Sequence, residues 1–369
     1  MSTQSSPEQQ DRPLRIALLT STRERCGIAE YSRHLAAALA RLVALDVVPV
    51  DPQPLTPDTF ARLNAADVIH LQHEYSFFGS ALPGRSLLPR LLRPLRRPWV
   101  VTAHTVGRAE EILGVARTGW RSMAKRLALR ARWVRWYVEA GPFASARRVI
   151  VHGSHARERL IAAGLRPERV VYLPMPVPPV APEGAPGSAS LCGERYLLTF
   201  GFLTPEKGID QVLEVLAEYP GLLVVAGETR GAVGKGYLAQ LQSAARALGV
   251  AGRVRFLGYV SDDCLDPLIR GAELVVLPYR SGTGSYALGR ALACGAPVVA
   301  SDLDLFDDYP CTARFGRRAG QSLREVIRAL ADAPERRRAL GEAAREYAAR
   351  HTWETAARRH VELYRAAAL

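Results

Sequence analysis

Lysine is nearly missing from this 369-residue chain: only three of its 49 basic residues are lysine, and the rest are arginine. Cysteine is scarce and scattered. The five thiols (Cys26, Cys192, Cys264, Cys294, Cys311) show neither a CxxC pair nor metal-ligand spacing, which excludes a disulfide scaffold or zinc ribbon and suits reduced thiols in a cytoplasm. No run near 18 residues is free of charge, so a transmembrane helix is not expected. The opening MSTQSSPEQQDRP has no apolar core, and residues 1–13 read as a disordered tail rather than a secretory signal. No GxGxxG follows the first apolar run. Ser21–Gly27 does not fit that pattern, and Gly282–Gly289 has the wrong spacing and comes too late, which excludes a nicotinamide dinucleotide fingerprint. Neither a Ser-His-Asp order nor a Cys-His pair at credible spacing points to a hydrolase.

Positive charge is plentiful and concentrated. Between Arg85 and Arg148 fifteen Arg/Lys face three acids, which is +12 of the chain's +13. Within it Trp120–Val138 places Met123, Leu127, Val134 and Val138 near one helical stripe among arginines and three tryptophans. Such a helix suits an anionic membrane surface. The alternative is a solvated basic face over a core stripe. No RNA- or DNA-reading motif accompanies the charge, so no nucleic-acid partner is expected.

Short apolar runs alternate with helical segments throughout. Leu14–Leu19, Val47–Val50, Val68–Leu71, Trp99–Thr102 and Arg148–His152 predict strands in the first half, with a helix from about Ile28 to Leu42. Tyr196–Phe200, Leu222–Ala226, Val254–Phe256, Leu274–Leu277 and Val298–Ala300 predict strands in the second. The pattern is that of an α/β chain with two parallel sheets. The length favours two domains, at 14–173 and 195–351. A Pro-rich linker at 174–194 joins them, and a closing helix spans 352–369.

Leu274–Ser301 reads as strand, small-residue loop, helix and strand. The loop residues Ser281, Gly282, Thr283, Gly284 and Ser285 leave backbone N–H groups unpaired beside the positive end of a helix dipole, where phosphate binds. About 75 residues earlier the turn after Leu197–Phe200 carries Gly201, Lys207 and Gly208 before another helix. Two such turns on parallel strands of one sheet would face one ligand.

The order of motifs resembles that of the retaining glycosyltransferases of family 4, over nearly the whole chain from residue 14. It is carried by Cys26-Gly-Ile-Ala-Glu-Tyr-Ser-Arg33, His70-Leu-Gln-His-Glu-Tyr75, Thr102-Ala-His-Thr105, Gly201-Phe-Leu-Thr-Pro-Glu-Lys-Gly208, Ala226-Gly-Glu228, Ala293-Cys-Gly-Ala-Pro-Val-Val-Ala300 and Thr352-Trp-Glu354. The QHEY and HT signatures are similar to those of a mannosyltransferase-like subgroup.

The resemblance implies a GT-B fold, two Rossmann-like domains whose parallel sheets face each other across a cleft. The donor, a nucleotide diphosphate sugar, would lie on the C-terminal side. A glycan, polyprenyl-linked or small-molecule acceptor would lie on the N-terminal side. Lys207 matches the lysine that meets the diphosphate, and Gly27 the glycine that lets backbone approach phosphate. Gly258, Tyr259 and Val260 match the loop that holds the base. His104 is expected at the donor sugar, donating to a hydroxyl or steadying charge. His73, Glu74 and Glu30 are candidates to bind the acceptor or take its proton; packing or capping is the alternative for each. No cofactor or metal is expected. Asp302-Leu-Asp304 spells DxD but follows a strand and reads as a loop.

The chain departs from the family's pattern at the donor site. Gly282 and Arg290 stand where family members usually carry Glu-x7-Glu, and Phe202 replaces an arginine at the turn after Gly201. A carboxylate accepts from both ribose hydroxyls and an arginine only donates. Arg280 or Arg290 is expected to replace the missing charge. The expected function is metal-independent hexosyl transfer, mannose first, in the cytoplasm or at the inner face of its membrane. A catalytically silent binding subunit and a sugar-nucleotide epimerase are the alternatives.

Overall fold

The computed structural model describes residues 12–23, 26–51, 55–115, 119–180, 193–229 and 231–369. The apolar runs form strands buried on both faces, the mark of parallel sheets covered by helices. Two compact units result: one runs to Pro174 and takes back Trp353–Leu369, and the other is Met175–Thr352.

The first unit holds β1 (Arg15–Thr20), β2 (Ala44–Pro49), β3 (Val68–His73), β4 (Trp99–Ala103), β5 (Arg148–Val151) and β6 (Val170–Tyr172). They pair in parallel in the order β2-β1-β3-β4-β5-β6. The chain direction across the sheet reverses between β1 and β3, so the turns that leave these two strands frame a crevice. Because side chains alternate along a strand, Ile69 and Leu71 enter one core with Phe77, Phe78 and Phe143, while Val68 enters another. That second core is closed by helix Gly27–Leu39 and helix Trp353–Ala368. Trp353, Ala357, Val361 and Tyr364 form the stripe of the latter, packed against Tyr31, Leu35 and Leu39. Tyr364 is fully buried, a contribution of about 2 kcal/mol from apolar area alone.

The second unit holds β7 (Tyr196–Phe200), β8 (Leu222–Ala226), β9 (Val254–Gly258), β10 (Leu274–Leu277), β11 (Val298–Ser301) and β12 (Thr312–Phe315), all parallel, in the order β12-β11-β10-β7-β8-β9. This is the doubly wound order of dinucleotide folds, with its switch point between β7 and β10. Pro176–Pro178 are buried on this unit, and the Val177 N–H donates to the His351 carbonyl at 2.9 Å. The expected linker is thus in part a packed segment, and its stretch 181–192 lies outside the described residues, as does 1–11 of the expected tail.

Trp120–Val138 is not one helix. It divides into Trp120–Ala128 and Arg132–Glu139, so the expected stripe splits: Val134 and Val138 are buried, while Met123 and Leu127 are about two-thirds exposed or more (70% and 66%). Among the described residues no helix is long and apolar enough to cross a membrane.

The first unit buries an unusual number of histidines. Burial pushes His73 down to about 3 and His360 to about 4, and holds His70 and His104 well below the ordinary value. An unfolded histidine takes up its proton near pH 6.5. Below that pH the unfolded state binds more protons than the native one, so stability falls with pH by up to about 1.4 kcal/mol per unit for each fully buried ring; above it both states are neutral and the contribution vanishes. All five tryptophans (99, 120, 133, 136, 353) lie in this unit. The urea midpoint read by tryptophan fluorescence is expected to be flat from pH 8 to about 7 and to fall steeply from about 6.5 to 4, less steeply in His360→Gln. A flat profile in the native protein refutes the neutral-ring assignment.

Candidate functional site

At the switch point of the second unit, β7 ends in Gly201 (φ 113°), and a 3₁₀ turn Pro205–Lys207 leads into Gly208, left-handed at φ 65°. A Cβ on Gly208 would lie 2.1 Å from the Pro278 carbonyl oxygen, so glycine is required there both by φ and by space. That contact brings the turn after β7 against the turn after β10. The Lys207 ammonium sits 3.6 Å above the Tyr279 ring, a cation–π contact. The Tyr279 hydroxyl is 3.0 Å from Ser285 Oγ, which accepts from the Leu288 N–H at 3.1 Å and caps helix Tyr286–Ala293. Ser281, Gly282, Thr283 and Gly284 are exposed. The arrangement joins a half-buried cation, an exposed small-residue loop and a helix start, and so can hold a diphosphate. Tyr279 was not singled out from the sequence; its signal is an aromatic residue closing β10.

The two expected substitutes for the missing charge are already engaged. Arg290 is buried, with Nε 2.7 Å from Asp266 and one terminal nitrogen 2.5 Å from Asp262, so its fork is spent on the helix Asp262–Gly271 rather than offered to a ligand. Arg280 pairs with Asp210 at 2.7 Å, and its backbone N–H donates to the Glu206 carbonyl. Arg280 remains exposed and Arg290 does not. Phe202 (39% exposed) lies open after β7. Gly258 (φ 68°) ends the edge strand β9, with Tyr259 exposed beside it and Val260 half-buried. The DxD residues brace a loop: Asp302 accepts from the backbone N–H groups of Arg318 and Ala319, and Asp304 pairs with Arg318 at 2.9 Å.

In the first unit Gly27 opens the helix after β1, exposed and with open space where a Cβ would stand. Glu30 lies in the same first turn. His104 follows β4, its backbone N–H donating to the His73 carbonyl at 3.2 Å, and its ring meets Tyr31 edge-on at 5.0 Å. The ring is neutral, chiefly through burial and secondarily through His152 and His73. Its Nε2 lies 2.7 Å from Gln72 Oε1, so His104 has one nitrogen already committed. Gln72 was read from the sequence only as part of the QHEY signature.

His73 and Glu74 go to different tasks. Glu74 accepts from the Tyr75 N–H at 2.9 Å and from the Thr105 hydroxyl at 2.5 Å, capping the short turn Tyr75–Phe78 and pinning the loop after β4. The structure thus gives it the capping role. His73 is buried against Tyr75, Phe78 and Phe143, its Nδ1 has no hydrogen-bond partner, and it lines a cavity of about 270 Å³ with Tyr137, Leu88 and Ser145. The cavity lies on the face of β3 opposite His70 and Gln72, as the two-residue strand period requires.

Two family models match this chain: Glycosyltransferase Family 4 over residues 58–180 and Glycosyl transferases group 1 over 188–347. Curated relatives include D-inositol 3-phosphate glycosyltransferases of Segniliparus rotundus, 33% identical over 47% of this chain and 40% of that one, and of Mycobacterium bovis, 33% identical over 44% and 35%. The match spans about two fifths of the length of these relatives. Similar solved structures include Anabaena Alr3699/HepE in complex with UDP and glucose (TM-score 0.69, 16% identity, covering 96% of this chain and 100% of that one). Sucrose-phosphate synthase from Thermosynechococcus elongatus is another (TM-score 0.73, 19% identity, 95% and 98%).

The Arg290 pairing makes a stability prediction. Asp266 is 1% exposed, so Asp266→Ala leaves the Arg290 charge buried beside a void and is expected to cost the second unit about 3–5 kcal/mol. Circular dichroism during urea unfolding checks this; a loss below about 1 kcal/mol returns Arg290 to the list of available cations.

Proposed function

The chain belongs to the group 1, family 4 glycosyltransferases and has the GT-B fold, and on that premise we propose that it moves a hexose from a nucleotide diphosphate sugar to an acceptor with retention of configuration. The observation that carries this reading is the meeting of Lys207, Tyr279 and the start of helix Tyr286–Ala293 at the β7/β10 switch point. There Lys207 and unpaired backbone N–H groups of the loop 281–284 neutralise the diphosphate as the glycosidic bond breaks, without a metal. His104 receives the sugar, and the departing diphosphate assists removal of the acceptor's proton. GDP-mannose is the first candidate donor, from the QHEY and HT signatures. UDP-glucose is the second, because a protein of the same fold is known with UDP and glucose.

The acceptor is a glycan, a polyprenyl-linked sugar or a small molecule such as an inositol phosphate, the substrate for which the relatives are named. It binds in the first unit, where the cavity beside His73 offers aromatic walls and an unpaired imidazole nitrogen. We read the enzyme as cytoplasmic and held at the inner membrane face. Support comes from Trp120, Met123, Leu127 and Trp133, each 64–74% exposed, set among exposed Arg121, Arg126, Arg130 and Arg132.

Two measurements test this. Calorimetry of UDP, GDP, ADP, CDP and their common sugars is expected to find saturable binding of one nucleotide, weakened about tenfold (about 1.4 kcal/mol) in Lys207→Ala. Absence of binding to folded protein sinks the donor assignment, while binding without turnover, indifferent to His104→Ala, identifies a silent binding subunit. For the membrane, co-sedimentation with phosphatidylglycerol vesicles but not phosphatidylcholine vesicles is expected, lost in Trp120→Ser/Trp133→Ser. Equal sedimentation of the double variant and the native protein removes the membrane reading.

A further inference from the structure

We propose that Gln72 is a positioning residue that fixes the tautomer of His104, and with it whether the free nitrogen accepts or donates toward substrate, and that this choice is coupled through His70 to Tyr364 on the carboxyl-terminal helix. The proposal rests on the role of His104 at the sugar given above.

His70 and Gln72 share one face of β3, two residues apart, and Gln72 lies in register with Thr102 of β4. Four contacts connect them in a line. Gln72 Oε1 is 2.7 Å from His104 Nε2; Gln72 Nε2 is 3.2 Å from His70 Nε2; Thr102 Oγ1 is 2.9 Å from that same His70 nitrogen; and His70 Nδ1 is 2.7 Å from the Tyr364 hydroxyl. His70, Gln72, Thr102 and Tyr364 are each essentially inaccessible to solvent, so no water competes for these bonds.

The chemistry of each group gives the line a direction. A carbonyl oxygen only accepts, so His104 Nε2 carries the hydrogen and donates to Gln72 Oε1. An amide nitrogen only donates, so His70 Nε2 is bare and accepts from Gln72 and from the Thr102 hydroxyl. His70 Nδ1 then carries the hydrogen and donates to the Tyr364 oxygen. Both rings are neutral through burial, so each has one hydrogen and one lone pair. His104 therefore turns Nδ1, a hydrogen-bond acceptor, toward substrate. That differs from the donor role expected from the sequence: a sugar hydroxyl donates to His104, and no positive charge is added beside the reacting carbon. Turning the Gln72 amide over reverses every hydrogen in the line at once; the Tyr364 hydroxyl, which both accepts and donates, satisfies His70 Nδ1 in either direction, and its loss would leave a buried Nδ1–H without a partner and shift the balance at His104.

The test is ¹⁵N-histidine NMR on the full chain at neutral pH. The expected wild-type spectrum has His104 hydrogenated on Nε2 and His70 on Nδ1. Gln72→Leu frees His104 to populate both tautomers, Gln72→Glu keeps Nε2–H because a carboxylate still accepts, and Tyr364→Phe shifts the His104 populations from a distance. Tryptophan fluorescence reports folding of each variant, and if Tyr364→Phe unfolds, the Gln72 pair decides. His104 hydrogenated on Nδ1 in the native protein, or a His104 tautomer unmoved by Gln72→Leu, overturns the proposal. In a transfer assay Gln72→Leu is expected to lower kcat roughly tenfold or more with KM little changed, and Gln72→Glu to restore most of it. If His104→Ala itself leaves transfer intact, the sugar-binding role of His104 fails, while the tautomer measurement still stands or falls separately.

Discussion

The candidate donor site hangs on the space left by one absent methyl group. With no side chain on Gly208, the Pro278 carbonyl can pass close to its backbone, and Gln211 Nε2 donates to both the Pro278 and Gly208 carbonyls at 2.8 and 3.3 Å. Arg280 adds a backbone bond to Glu206 and a pair to Asp210. These contacts lace the turn after β7 to the turn after β10. Strand pairing between β7 and β10 covers only Leu274–Leu197 and Val275–Leu198, so the lacing beyond the strand ends keeps Lys207 over Tyr279. The cation, the aromatic ring and the capped helix thus reach one place through backbone geometry rather than through any of the three side chains.

Most strands could be read from the sequence because a parallel strand buried on both faces is nearly free of polar residues; β3, which buries His70, Gln72 and His73, is the exception. β6 and β12 could not. The first is three residues long and runs straight into the Pro-rich stretch that masks it, and the second carries Arg314 and so presents no apolar run. The break between Trp120–Ala128 and Arg132–Glu139 falls at Leu129-Arg-Ala131, which contains neither glycine nor proline and gives no warning. A periodic stripe therefore ran across a corner of the chain.

At the site, the turns and glycines were legible and the side-chain partners were not. Arg290 looked available because its partners, Asp266 and Asp262, lie on a helix about a quarter of a hundred residues earlier, and sequence spacing carries no pairing across that distance. The sequence groups His73 and Glu74 as acceptor-side candidates in a signature that also holds Gln72. In the structure the strand period and the strand end separate the three: Gln72 serves His104 on one face, His73 opens to a cavity on the other, and Glu74 caps a turn. Adjacent residues at the end of a strand are neighbours in sequence and strangers in space.

The Arg290 triad also bears on how such a site can change over time. A carboxylate introduced at position 290 would meet Asp266, 1% exposed, and Asp262 with no cation between them. An acidic residue at 290 therefore requires at least one further substitution on helix Asp262–Gly271 to relieve the clash of carboxylates around the buried Asp266. With residue 290 held between those two aspartates, a grip on a nucleotide's ribose has to come from other groups.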